Sequence, residues 1–511
     1  MQILLPLPQL GVRGLGRLGR GGVFIACKEV RLLSVSQTTR RFPLVPGRRS
    51  VVDSEMDLDI QCQEFSGSKW KELVPSLRQY KTIRMDDCGL LHSNCADIAS
   101  VLSTNKALTE LTLNNNELGD SGVGVLCKGL MDPSSTLQKL WLKNCNLTKA
   151  CCENLRSVLR AKPSLIELHL GDNNLGPSGL KVLCEGLLDP NCQLQTLHLE
   201  YCELSEEVAE ALSSALRTKS CLKELNLSHN SLGDAAVKHL CQALQDANCK
   251  LQSLQLDNCD FTVASCGDLS AVLSANSSLT ELCLGENKIG DAGVALLCQG
   301  LLNPNCKIQK LTLWECDITA AGCKDLSNVI STKETLRELN LIGNNIGDQG
   351  MDFLCQGLKD PNAKLQSLWL RECGLTTACC KSISSVLCTN SILKELHIAS
   401  NPLKDAGVIE LCEGLMSPSC NLQCLWLGNS VLTPACCEKL ATLIAAKPCL
   451  EELDLSYNEL RNEGVLKLCE AVRNPNCHLK LLILYDIFWS TAVDKELKAL
   501  EESKPGFKVV T

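Results

Sequence analysis

The chain has 511 residues and 34 cysteines, only 3% aromatics, and 50 Lys+Arg against 58 Asp+Glu. No stretch approaches the roughly 18 consecutive apolar residues of a membrane-spanning helix, so no transmembrane segment is expected. The net charge of −8 conceals an asymmetry: residues 1–50 carry nine Lys/Arg and one acid, Glu29, leaving 41 basic and 57 acidic residues elsewhere, a net of −16. Such a body favours a cationic partner and speeds its encounter, although solubility accounts for the charge equally well.

Residues 1–55 read as an Arg-rich extension broken by Pro6, Pro8, Pro43, Pro46 and glycines between Gly14 and Gly22. A disordered segment upstream of Met56 is expected, with a transit peptide as the competing reading. Residues 56–79, which include Trp70, are expected to cap the segment that begins at Tyr80, because a repeat array exposes an apolar slice at each end.

From Tyr80 the chain repeats itself. In the clearest copy Leu336, Leu339 and Leu341 are followed by Asn344 and Ile346. Matching copies begin at Leu108, Leu137, Leu165, Leu194 and onward to Leu479, in steps that alternate 29 and 28 residues, about 15 units over residues 80–490. The turn residue alternates as well (Asn116, Cys145, Asn173, Cys202), so the true period is 57. This is the leucine-rich-repeat pattern L-x-x-L-x-L-x-x-N/C-x-L. Each unit predicts a short strand with alternate leucines inward, a turn whose backbone an Asn amide satisfies, and a helix.

Asp348 is the expected N-cap of a helix carrying Met351, Phe353, Leu354, Cys355 and Leu358, which Pro361 ends. In the alternate unit Thr319 caps a helix with Cys323, Leu326, Val329 and Ile330 inward. Helices about 10 Å wide cannot stack at the roughly 4.8 Å spacing of strands, so the array must bend. The expected fold is an α/β horseshoe solenoid, parallel sheet concave and helices convex. Fifteen strands give an inner arc of about 70 Å, room for a globule of 100–130 residues about 30–35 Å across. Residues 491–511 form the second expected cap, a charged helix after Asp494 ending in Phe507–Thr511.

The cysteines follow the same period: Cys127, Cys184, Cys241, Cys298, Cys355, Cys412 and Cys469 are 57 residues apart. Equivalent positions two strands away lie about 10 Å apart, beyond the roughly 7 Å a disulfide spans. Free, buried thiols in a reducing compartment are expected, the cytoplasm first and the nucleus as an alternative. There is no C-x-x-C, and neither a metal site nor a cofactor is expected. The adjacent pairs Cys151-Cys152, Cys379-Cys380 and Cys436-Cys437 are candidate redox sites, with one thiol of each pair in the core and the other merely beside it as the favoured expectation.

Nothing reads as an enzyme: G-x-x-x-x-G-K-[ST], G-x-S-x-G and H-E-x-x-H are all missing. His169, His198 and His397 are expected exposed on strands, without a recurrent acid. The informative surface is the concave one. The residue before the second leucine is Glu in every second repeat, at Glu110, Glu167, Glu224, Glu281, Glu338, Glu395 and Glu452; a common filler is the bland reading of this ladder. Trp141, Trp369 and Trp426 take the middle concave position and Trp314 the next. Tyr485 follows on the last of these strands and Tyr457 lies beside the cavity. Trp and Tyr among carboxylates are what a protein-binding hot spot needs.

The 28/29 alternation, the alternating Asn and Cys, Leu313-Trp314-Glu315-Cys316 and the run Leu484–Trp489 closely resemble the cytosolic ribonuclease inhibitors of vertebrates, over Met56–Thr511. The resemblance implies a tight, non-catalytic monomeric inhibitor that binds basic secretory ribonucleases of the pancreatic type and angiogenin 1:1, with no role for nucleic acid or membrane. It implies contacts from Tyr485, Asp486, Trp314, Glu315, Trp369, Trp426 and Thr511. Glu338, Glu395, Glu452, Tyr457, Phe488, Arg371 and Lys508 complete the candidate interface. The chain departs from the family where Thr312 replaces a frequent Trp, Phe488 a Tyr and Ser430 a turn Cys; Trp141 is an addition. A repeat scaffold such as an innate-immune sensor module is the alternative, though the missing P-loop argues against it, and a GTPase-activating repeat protein is third.

Overall fold

The computed structural model describes residues 57–511 apart from 66, 219 and 220; the expectation for residues 1–55 lies outside the described residues. The first repeat contributes the five-residue strand Thr82–Asp86, and each later one a strand of only three residues. Glu338–Asn340 pairs in parallel and in register with Lys310–Thr312 on one side and Ser367–Trp369 on the other. Leu339 at its centre is fully buried, as are Leu336 and Leu341, and each such leucine contributes about 2 kcal/mol by leaving water. The pattern runs without a break from Asp57–Gln61 to Lys508–Val510, seventeen parallel strands in one open sheet. Parallel neighbours require a crossover, here a helix such as Gly347–Leu358, whose Met351, Leu354, Cys355 and Leu358 are buried against the sheet. Parallel strands inside and wider helices outside make the α/β leucine-rich-repeat horseshoe.

The alternating turn residue has a physical basis. Asn344 is buried, and its Oδ1 accepts from the N–H groups of Cys316 (2.9 Å) and Ile318 (3.0 Å) in the preceding repeat. Its amide donates to the carbonyls of Leu313 (2.7 Å) and Leu341 (2.8 Å). One side chain thus satisfies buried backbone in two repeats. In the alternate turn the Cys316 thiol donates to Leu284 O (3.3 Å) and Trp314 O (3.4 Å). Ser430, in the same place, reaches only Gly428 O at 3.5 Å.

Thr319 caps its helix as the sequence suggested, accepting from Ala321 N–H. Asp348 does not cap: the helix begins at Gly347 with no side-chain cap bond. The Asp348 carboxylate instead accepts from the backbone N–H (2.8 Å) and hydroxyl (2.6 Å) of Thr376 in the next repeat. The same bonds join Asp120 to Thr148, Asp291 to Thr319 and Asp405 to Thr433, so the carboxylate ties neighbouring repeats while sitting near the positive end of its own helix.

At the start of the array Asp57–Gln61 adds a strand, and the helix Gly67–Leu73 lays Trp70 over the core with its indole N–H on Asp97 at 2.8 Å. At the other end the helix begins at Thr491, before Asp494, and the last residues form a strand rather than a tail. Lys504 closes that end by donating to the carbonyls of Val472 (2.8 Å) and Cys477 (2.7 Å).

Every cysteine among the described residues is a free thiol, and only Cys62, Cys221, Cys388, Cys424 and Cys449 are less than fully buried. Burial pushes the thiols of Cys127, Cys184, Cys298, Cys355 and Cys412 up to about 12, which leaves them protonated and poorly nucleophilic. The expectation for the adjacent pairs needs correcting. Both members of each pair are buried, because the helix winds directly out of a one-turn 3-10 segment that turns both side chains inward.

Candidate protein-binding surface on the concave sheet

Because the strands are in register, equivalent positions of successive repeats form continuous rows about 4.8 Å apart. The row before the central leucine reads Glu110, Lys139, Glu167, Thr196, Glu224, Ser253, Glu281, Lys310, Glu338, Ser367, Glu395, Cys424, Glu452. The carboxylate ladder is therefore not uniform. Arg84 bonds Glu110 at 2.7 Å, Lys139 bonds Glu167 at 2.9 Å, and Lys310 bonds Glu281 at 2.9 Å and reaches Glu338 at 3.8 Å. Burial alone would raise the Glu167 carboxyl, but His169 and Lys139 outweigh it and hold it at about 2. From Glu338 to Glu452 the row holds no cation. Glu395 lies between Ser367 and Cys424, and Glu452 between Cys424 and Leu481.

The middle row corrects the expectation for the histidines. His169 bonds Glu167 at 2.9 Å and His198 bonds Glu224 at 2.9 Å. His397 is not exposed but 3% accessible, 3.8 Å from Glu395. Histidines and tryptophans stack in two places along the row: Trp141 on His169 at 4.8 Å, and Trp369 on His397 at 3.7 Å with Trp426 edge-on to His397 at 4.4 Å. Trp426 is only 6% exposed, and its indole N–H has no acceptor among the described residues. A buried donor left unpaired costs about 1–3 kcal/mol. Trp314 is half-buried, with its indole N–H on Asp257 at 3.0 Å.

A third row escaped sequence reasoning. The residue just before each turn position is left-handed: Asn115, Asn144, Asp172, Asn258, Asn429 and Asp486 at φ 49–56, but also Tyr201 (53), His229 (60), Glu286 (51), Glu315 (48), Glu372 (56), Ser400 (56) and Tyr457 (56). Asn and Asp tolerate this region; for other L-residues it costs roughly 1–2 kcal/mol. Tyr201 stacks on His229 at 4.1 Å and Tyr457 meets Tyr485 at 5.4 Å, so these strained positions carry part of the concave aromatic surface. The signal was visible as the Asn/Asp preference one place before the turn.

At the last repeats the rows converge. Tyr485 and Tyr457 are half-exposed and meet edge to face at 5.4 Å, Phe488 is 88% exposed, and Val431 lies out on the same rim. Leu484 N–H bonds Val510 O at 2.8 Å, setting Thr511 beside Tyr485. Lys508 is exposed on the edge strand. Arg371 reaches toward Ser400 (Nε to Oγ 3.4 Å) on the turns beyond Trp369. The structure thus gathers Trp369, Trp426, Glu395, Glu452, Tyr457, Tyr485, Asp486, Phe488 and Thr511 on the C-terminal third. Trp314, Glu315 and Glu338 lie further back along the sheet, and Trp141 belongs to a separate stack with His169.

Fold and surface define a leucine-rich-repeat protein whose concave sheet and exposed aromatic rim are suited to binding another protein. Residues 56–85 match the family model described as Capping Ribonuclease inhibitor Leucine Rich Repeat. Residues 104–127, 161–184, 218–241, 275–298, 332–355, 389–412 and 446–469 match a Leucine Rich repeat model. The chain is 49% identical over 456 residues to the ribonuclease inhibitor of Mus musculus and equally to that of Sus scrofa, covering 89% of this chain and 100% of each of those. It is also 41% identical over 362 residues to NACHT, LRR and PYD domains-containing protein 12 of Homo sapiens, 71% of this chain but 34% of that one. The chain belongs to the ribonuclease inhibitor family.

Proposed function

We propose that the protein is a tight-binding inhibitor of pancreatic-type ribonucleases, angiogenin among them, acting as a monomer in 1:1 complexes within the reducing cytoplasm. The observation that carries the reading is the C-terminal end of the concave face. There the carboxylates of Glu395 and Glu452, in a row with no lysine or arginine between them, lead to an exposed Tyr485–Asp486 corner flanked by Tyr457, Phe488 and Thr511. A ribonuclease active site is a cationic cleft built to hold phosphate, and a carboxylate can stand in for that phosphate through charge-assisted hydrogen bonds. Asp486 enters the cleft, and Tyr485 supplies a large face with little rotamer entropy to lose. The free, buried thiols suit a reducing compartment.

Asp486→Ala is expected to weaken binding by roughly 2–5 kcal/mol, mostly through faster dissociation, because the enzyme's lysine is left buried and unpaired. Tyr485→Ala costs about 2 kcal/mol or more. Tyr485→Ala leaves thermal stability unchanged, since that side chain points out of the core, whereas Asp486→Ala, at φ 54, lowers it by about 1 kcal/mol through the backbone alone. A double-mutant cycle of Asp486 against the catalytic lysine of the ribonuclease decides: a coupling energy near zero withdraws the assignment. The similarity to the NACHT protein keeps a scaffold role as the second reading; failure to inhibit any basic ribonuclease would favour it.

A further inference from the structure

Trp369, His397, Trp426 and Asp454 hold the same position on four consecutive strands, and the last is the unusual one. Asp454 is a carboxylate only 8% exposed. Its Oδ1 accepts from the Ser456 N–H (2.9 Å) and the Ser456 hydroxyl (2.5 Å). The Ser456 oxygen in turn accepts from the Tyr485 N–H at 3.2 Å, while Tyr485 O accepts from Tyr457 N–H at 2.9 Å. The other carboxylate oxygen lies over Gly428, where a Cβ would come within 3.0 Å.

Sister repeats solve the same local problem without a charge. Asn226 Oδ1 accepts from Ser228 N–H at 3.0 Å, and Asn340 Oδ1 from Ile342 N–H at 2.9 Å. A neutral acceptor at this position satisfies the same N–H, so the anion is not needed for the fold, and burying an anion costs more than burying an amide. Burial raises the Asp454 pKa, opposed by the two Ser456 bonds and by the field of Arg371. The other charged or titratable groups around it are Glu452 on its own strand, Cys424 on the strand before, Glu395 and His397 one strand further, and Tyr485-Asp486 after the strand beyond Asp454.

We propose that Asp454 is a positioning and specificity residue for a cationic partner: through Ser456 it fixes the backbone of Tyr485, and it adds a buried negative charge beneath the Tyr485–Asp486 corner. The inference rests on the function proposed above. A hydrogen bond to an ionised acceptor is shorter and stronger than a neutral one and polarises the next in the chain, so the Tyr485 N–H is held more firmly. Holding Tyr485 in place beforehand reduces the ordering cost of association. A charge in a low-dielectric surrounding is also screened less than one at the rim.

The test measures association and dissociation with a basic pancreatic-type ribonuclease from pH 5 to 8 for the wild type, Asp454→Asn and Ser456→Ala, with thermal midpoints alongside. Asp454→Asn should keep or raise the midpoint at pH 7, yet bind about 10-fold more weakly. The ratio of its Kd to that of the wild type should shrink toward one as pH falls and Asp454 takes up a proton; groups that titrate in both proteins cancel in that ratio. Ser456→Ala should lose a comparable factor at pH 7. Equal affinities with a flat ratio, or a loss that only tracks a lowered midpoint, would overturn the inference and leave the proposed function standing. A wild type that binds no basic ribonuclease would overturn both.

Discussion

Replacing Asn344 by Ala tests how the repeats are joined. The substitution leaves the N–H groups of Cys316 and Ile318 and the carbonyl of Leu313 without their partner, whereas Leu341 O keeps a bond from Asn344 N–H at 3.3 Å. Three buried orphans at about 1–3 kcal/mol each put the cost at roughly 3–9 kcal/mol. Two further variants separate donor from acceptor. Asn344→Cys restores a donor of the kind Cys316 uses toward Leu284 O but accepts neither N–H, and should cost about 2–4 kcal/mol. Asn344→Asp keeps both acceptor bonds, turns a carboxylate toward two carbonyls, and should recover stability as pH falls and the acid becomes a donor. Urea unfolding gives the totals. Because a solenoid opens locally, amide hydrogen exchange at Cys316 and Ile318 gives the local effect, expected as faster exchange there in the Ala and Cys variants and not in Asp. A cost below about 1 kcal/mol for Asn344→Ala, or unchanged protection at those amides, would refute the reasoning.

Two other outcomes stem from the backbone and the buried acids. Gly119, Gly176, Gly233, Gly290 and Gly347 open their helices at φ 59–69 in open space, whereas Lys404 (58) and Arg461 (54) hold the same conformation with a side chain. Lys404→Gly and Arg461→Gly should therefore each stabilise by about 0.5–1 kcal/mol, additively at that separation; a loss of stability in urea titration would show that these side chains hold the fold. Burial raises the Asp86 carboxyl to about 6 even though it accepts from Asn114 N–H at 2.8 Å. The unfolded chain ionises near 3.8, so the folded state loses stability as pH rises from there to about 6 and no further. Asp86→Asn should gain about 1 kcal/mol at pH 7.5, after allowing for the group's partial exposure, and nothing at pH 3; an equal gain at both would point to packing instead.

The repeat itself was legible in the sequence because it is a local matter. Three leucines at fixed spacing, an Asn or Cys at the turn and a Thr before a helix each act within one unit or on the next, and the unbroken recurrence from Leu108 to Leu479 leaves one register. The register in turn placed Trp369, Trp426 and the Glu ladder on the concave side. What tertiary structure decided is who neighbours whom across 28 or 29 residues. In-register pairing sets His397 against Trp369, Lys310 between Glu281 and Glu338, and Asp348 on Thr376, so histidines expected to stand alone are paired and an expected cap is a tie between repeats. It also decided burial: both members of each cysteine pair are inside, and Asp454 lies beneath Tyr485 with Ser456 between them. Periodicity along the chain fixes the direction of a side chain, because direction depends on the local backbone; pairing, charge compensation and desolvation depend on what the neighbouring repeat brings within a few ångströms, and only the stacked array supplies that.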